Sequence, residues 1–147
     1  MALCISAALG AACGGGSASV AQQLTSWAQS TDFGSTLSAV RGDLAAEAQY
    51  AAVGAPATHA RTVCDVLVTD TLHANEQLPT PDATLTGLLG RAYDAAAGAG
   101  HDCYDAAGAD SPKLAAAATL RSTALDLLIR AEARYDQLTS TLPQGAT

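Results

Sequence analysis

Residues 72–89 read LHANEQLPTPDATLTGLL, and the five at the centre, Leu78-Pro79-Thr80-Pro81-Asp82, decide how the chain on either side is organised. Proline removes a backbone donor and restricts the residue before it, so Pro79 stops whatever helix precedes it. Thr80 is suited to an N-cap, Pro81 to the first helical position and Asp82 to an acid in the first turn, so a new helix is expected to start here. Before the stop, Ala60, Cys64, Leu67, Thr71, Ala74 and Leu78 are spaced alternately by four and three, a heptad seam. After it, Leu85, Leu89, Ala92, Ala96, Ala99 and Cys103 form a second stripe of the same kind. Two helices joined by this turn are therefore predicted, each with a cysteine on its buried side.

The same punctuation recurs outward. Gly54-Ala55-Pro56 closes an earlier helix and opens the one before the turn, Gly suiting the position just past a helix end and Pro the first turn. That earlier helix carries Phe33, Leu37, Val40, Leu44, Ala48 and Ala51. Val20, Leu24 and Trp27 are helical in spacing too, but the step of six from Trp27 to Phe33 breaks phase, which predicts a separate N-terminal piece ending near Ser30 to Gly34. Asp32 or Ser35 is placed to cap the second piece. Asp110-Ser111-Pro112 opens a last helix with the seam Ala117, Leu120, Ala124, Leu127, Ala131, Tyr135, Leu138 and Leu142, stopped by Pro143. No segment alternates with period two. The expected fold is all-α: an antiparallel four-helix bundle over residues 18–143 with an extra N-terminal helical segment, followed by a short tail at 144–147.

Composition limits what this bundle does. About a quarter of the 147 residues are Ala and only 4% are aromatic, so helices approach closely while each side chain buries little area. The net charge is -7 with scattered basic residues, which excludes nucleic acid as a partner, since phosphate backbones require clustered Lys and Arg.

Residues 1–12 are uncharged and apolar, of signal-peptide length and too short to span a bilayer as a helix. Cys13 and the tether Gly14-Gly15-Gly16-Ser17 follow. A small-residue run ending in Cys resembles the lipobox of bacterial lipoproteins, although a basic n-region is missing and Leu9 lies four places before Cys13 where three is usual. The resemblance implies a lipid on Cys13 and anchorage to the outer leaflet; the alternatives are an ordinary secretory signal cut after Ala12, leaving Cys13 an unmodified thiol, and an untargeted apolar N-terminus. With Cys4 lost in the leader and Cys13 carrying lipid, Cys64 and Cys103 remain as an even pair in an oxidising compartment, expected to form one disulfide.

Straight helices running from the 79–81 turn would leave those cysteines roughly 12 Å out of level, because Cys64 lies about 14 residues back and Cys103 about 22 on. Strong tilt, or a third helix that stops well before Leu78, would absorb the difference, but the fourth helical segment is expected to break or bend near Gly98 to Gly100, where glycine weakens a helix most.

Trp27, Cys64, the run Leu78 to Asp82, Cys103 and Asp110 to Pro112 together resemble small secreted or lipid-anchored proteins of high-GC Gram-positive bacteria. The resemblance implies extracytoplasmic location and a bundle, and adds no mechanism.

Candidate chemistry is sparse. Asp94, His101 and Asp105 recur at spacings of seven and four on one helical face, a candidate metal or small-ligand site. Asp70, His73 and Glu76 place acids one turn either side of an imidazole, but His59 and His73 lie about 21 Å apart along a helix and cannot share an ion. The di-iron bundle pattern needs more carboxylates than Glu47, Glu76 and Glu132 supply. The four tyrosines, Tyr50, Tyr93, Tyr104 and Tyr135, are expected at the core edge with hydroxyls reaching water. There is no nucleophile elbow, phosphate loop, CxxC or haem motif, and no cofactor is expected. A non-enzymatic envelope protein that binds a protein, a wall polymer or a small ligand is the expected function, with a metal- or ligand-carrying bundle as the alternative.

Overall fold

The computed structural model describes residues 18–109 and 111–140; the expected leader at 1–12, Cys13 with the 14–17 tether, Asp110, Leu142, Pro143 and the 144–147 tail lie outside them. Among the described residues the chain forms five helices and no strand: α1 (Val20–Ser30), α2 (Phe33–Tyr50), α3 (Ala57–Asn75), α4 (Ala83–Ala106) and α5 (Pro112–Thr139). None is long and apolar enough to cross a membrane.

Local chemistry sets most ends. Ser19 accepts from the Gln22 amide while the Gln22 side chain accepts from the Ser19 amide, a reciprocal cap that opens α1. Ser111 caps α5 with Pro112 in its first turn, as the sequence predicts. Asp32 sits at the start of α2 but in the left-handed region, φ 49°, and its side chain makes no cap bond. The start of α4 also differs from expectation. Its cap is Asp82, whose carboxylate accepts from the Leu85 amide at 2.8 Å, and the first helical residue is Ala83. Thr80 is instead buried, its hydroxyl bonded to the Asp82 carbonyl and amide and to the Thr86 hydroxyl.

The central helix is α4, packed between α3 and α5; α2 lies mainly on α3, and α1 bridges α2 and α5. Leu24, Leu44, Leu67, Leu85, Leu89 and Leu128 fill the core, interleaved with buried alanines such as Ala92, Ala96, Ala124 and Ala131. At one end Trp27, Phe33 and Tyr135 stack from α1, α2 and α5, with centroids 5.0 and 5.4 Å apart, and the Trp27 indole donates to the Gln77 carbonyl. At the other end the α2–α3 and α4–α5 loops meet, Gly54 donating to the Gly108 carbonyl at 2.9 Å. Gly108 is required there: its φ is 78°, and a Cβ would stand 2.5 Å from the Ala55 carbonyl oxygen.

Cys64 and Cys103 are bonded, with Cα atoms 5.8 Å apart and no exposure of either residue. The expected break in α4 is absent: the helix runs through Gly98 and Gly100 to Ala106. The connection absorbs the difference in level instead. Leu78 lies beside Gly90, seven residues inside α4, so the chain at Pro79 to Asp82 runs on past the end of α3 before α4 begins, an overhang of about 10 Å at 1.5 Å per residue. Measured from that contact, Cys64 is fourteen residues back and Cys103 thirteen on, which brings them level. Gly100 serves close approach rather than flexibility: a Cβ there would sit 2.7 Å from Val68 Cγ2 and 2.9 Å from the Cys64 carbonyl oxygen.

Candidate functional site

Among the described residues, shallow clefts lie between pairs of helices. The first runs between α2 and α3, about 230 Å³, lined by Ser35, Thr36, Ala39, Asp70 and His73. Asp43, two turns along α2 from Ser35 and Thr36, is half-buried and its carboxyl meets that of Asp70. Burial first, then this contact and the Asp70 charge, push Asp43 up to about 6. Asp43 Oδ2 and Gln77 Oε1 are buried without a hydrogen-bond partner among the described residues, and Gln77 Nε2 donates to the Thr36 hydroxyl at 3.2 Å. Thus the α2–α3 seam is short of donors. His73 is exposed and reaches Glu76, the residue that caps the end of α3, at 3.5 Å.

The second cleft, about 190 Å³, lies between α2 and α5 and is walled by Ala48, Ala51, Ala52, Leu114 and Ala118. It holds the deepest charge in the bundle: Glu47, 1% exposed, paired with Arg121 at 2.5 Å. A second ion pair between the same helices, Arg41 to Glu132 at 2.6 Å, is more open to water. The third cleft, about 360 Å³, is an open surface between α3 and α4 where the Arg61 guanidinium lies 5.6 Å from the Tyr104 ring centroid, beside Thr58, Thr62, Asp65 and Val66.

Asp94, His101 and Asp105 share an exposed face of α4, as their spacing requires. Asp105 is engaged across the helix pair by Lys113, which holds its carboxyl below the usual carboxylate range, with lesser help from His101 and Arg61. Among the described residues, no three His, Cys, Asp or Glu side chains stand together in a way that could hold a metal ion. His59 packs edge-on against Tyr50, centroids 5.2 Å apart, at the far end of α3 from His73. Tyr93 departs from expectation: it is 2% exposed, and burial raises its phenol to about 12.

Among protein-family models, curated proteins and solved structures, none matches this chain. The site residues therefore stand on their geometry.

Among the pairings missed in the sequence are Glu47 with Arg121, Arg41 with Glu132, Asp105 with Lys113, and Asp82 with Arg134, whose Nη2 meets Asp82 Oδ2 at 2.8 Å; the influence of Asp70 on Asp43 was missed as well. For Glu47 the signal was present. Alternating four and three from Phe33 through Leu37, Val40 and Leu44 lands on Glu47 and then Ala51; Ala48, the apolar neighbour chosen for that stripe, is exposed. A charged residue in phase with a core stripe needs a partner, and Arg121 lies beside Leu120 on the α5 stripe.

Proposed function

We propose that this chain is an exported cell-envelope lipoprotein whose bundle acts as a non-enzymatic binding or structural module, held at the outer leaflet through a lipid on Cys13. The observation that carries this reading is the Cys64–Cys103 bridge. Disulfides persist in oxidising compartments and are rare where thiols are kept reduced. Closing a loop of that length contributes roughly 4 kcal/mol in the chain-entropy model, a large share of the stability of a small domain. The disposition of charge agrees with it. Glu47, Asp82 and Glu132 are taken up by Arg121, Arg134 and Arg41, each on α5 or facing it, so these groups hold helices together rather than facing a shared reaction centre. The partner of such a module is a protein, a wall polymer or a small ligand reached across the Gly14 to Ser17 tether. The kinship implied by Trp27, the Leu78 to Asp82 turn and the cysteine pair, with lipid-anchored bundles of high-GC Gram-positive bacteria, belongs to the same reading.

Mass spectrometry of the N-terminal peptide and a non-reducing peptide map, both on protein from its native host, test it. A diacylated Cys13 and a linked Cys64–Cys103 peptide are expected. An unmodified Cys13 on a correctly processed chain removes the anchor, and free thiols at both other positions remove the case for export.

A further inference from the structure

The α3–α4 cleft gathers polar groups that the packing of the bundle does not use. Thr58, Arg61, Thr62 and Asp65 share one face of α3, in a row about 10 Å long at 1.5 Å per residue, and Tyr104 lines the same cleft from α4. Arg61 and Asp65 are one turn apart and of opposite charge, yet they do not pair. The guanidinium lies instead over the Tyr104 ring, 5.6 Å from its centroid, drawn across the cleft by cation–π attraction. Among the described residues the Arg61 guanidinium, the Asp65 carboxylate and the Tyr104 hydroxyl have no hydrogen-bond or ion-pair partner. The Thr62 hydroxyl donates to the Thr58 carbonyl and is still able to accept.

We propose that this cleft is a saccharide-binding subsite that takes a pyranose unit of a neutral glycan; the proposal rests on the reading of the bundle as an envelope binding module and names the ligand class of that module. A sugar hydroxyl is donor and acceptor at once, and a run of adjacent hydroxyls needs partners of both kinds close together. The cleft supplies them: Arg61 donates only, Asp65 one turn away accepts only, and the hydroxyls of Thr58, Thr62 and Tyr104 act in either sense. Val66 and the Tyr104 ring, 44% and 43% exposed, give the C–H face of the sugar an apolar surface. The charges of Arg61 and Asp65 cancel, and the net charge of -7 repels acidic polymers, so a neutral glycan is favoured over an anionic one. A helical peptide is a poorer occupant, since recognition in a groove needs a line of apolar anchors and the cleft offers only Val66 and the ring.

The fold holds the two walls at a fixed spacing. Asp65 follows Cys64 and Tyr104 follows Cys103, and both cysteines are fully buried with Cα atoms 5.8 Å apart, so the bridge ties α3 to α4 beneath the cleft. A site whose walls are already in place loses less free energy to ordering when it binds. The cleft, about 360 Å³, is open along its length, which suits one unit of a chain that continues on either side better than a small molecule that needs enclosure.

Isothermal titration calorimetry of the full chain from its host, in detergent where Cys13 carries lipid, with hexamers of N-acetylglucosamine, glucose and mannose tests the subsite. At least one hexamer should bind with about millimolar affinity or tighter, and Arg61→Met, Asp65→Ala and Tyr104→Ala should each weaken it about tenfold. All three side chains are exposed, so the thermal midpoints of these variants should stay within about 3 °C of wild type. Arg91→Met, which removes an exposed cation elsewhere on α4, should leave the affinity unchanged. No binding of any hexamer at about 10 mM, binding that all three cleft variants leave intact, or an affinity that collapses with added salt overturns the subsite. The state of Cys13 is read independently by mass. A lipidated chain that binds none of the sugars loses the subsite and keeps the envelope reading, whereas sugar binding by a chain with unmodified Cys13 keeps the subsite and loses the anchor.

Discussion

Replacing Arg121 by Met tests whether the α2–α5 contact depends on a charge pair buried at its centre. The Glu47 carboxylate is 1% exposed and faces a cleft walled by Ala48, Ala51, Ala52, Leu114 and Ala118, none of which offers a side-chain donor. Removing the guanidinium therefore strands a charge. Breaking a buried pair from one side costs about 3 to 5 kcal/mol, and because Arg121 is itself 24% exposed, with water close to the site, the lower end applies: about 3 kcal/mol. For a chain of this size that lowers the thermal midpoint by roughly 6 to 12 °C. The double variant Glu47→Met with Arg121→Met removes both charges and keeps volume in the cleft, so it should recover most of the loss. Urea unfolding at neutral pH, with the bridge intact and the slope unchanged, measures both. An R121M midpoint equivalent to less than about 0.5 kcal/mol of destabilisation, or a double variant no better than the single one, would show that the pair does not carry this interface.

Two further outcomes follow from the helix contacts. Gly100→Ala should destabilise by about 1 to 3 kcal/mol, because its Cβ would press on the Cys64 carbonyl as well as Val68, whereas Gly87→Ala, whose Cβ would meet only the end of the Arg91 side chain at 3.5 Å, should stabilise by up to about 1 kcal/mol; equal thermal midpoints for the two variants would contradict the close approach of α3 and α4. Asp82→Ala removes the α4 cap and the partner of Arg134 and should cost about 1 to 2 kcal/mol at neutral pH. Arg134, foremost, holds the Asp82 carboxyl below 3.8, so this contribution is complete above about 4 and disappears as pH falls through the depressed value; denaturant midpoints whose difference from wild type persists unchanged at about pH 2 would refute it.

The two acid-sensitive groups oppose each other. Asp82 supports the fold best above the ordinary carboxylate range, Asp43 best below it, and each sign comes from what stands opposite: a guanidinium in one case, a second carboxyl in the other. Neither partner is near in sequence. Arg134 is 52 residues from Asp82, and Asp70 is brought to Asp43 only by the α2–α3 packing.

The sequence by itself determined the helical class, the approximate starts of all five helices and the residues on the buried faces of α3 and α4. Those properties are local or periodic: prolines, glycines and caps act within a turn, and a stripe of period 3.5 to 3.6 needs no knowledge of its neighbour. The stripe Ala60, Cys64, Leu67, Thr71 and Ala74 is buried throughout, as is Leu85 through Cys103. The tertiary structure decided how far each helix is displaced along its neighbour. The path of Pro79 to Asp82 past the end of α3 brings Cys64 level with Cys103 without breaking α4, and the same displacement places Gly100 against the Cys64 carbonyl. Periodicity is unchanged by sliding one helix along another, so it carries no information about which residues stand opposite. For that reason the disulfide partners were legible from the arithmetic of cysteines, while the geometry of their approach, the Glu47–Arg121 pair and the Asp43–Asp70 contact were set only when the helices docked.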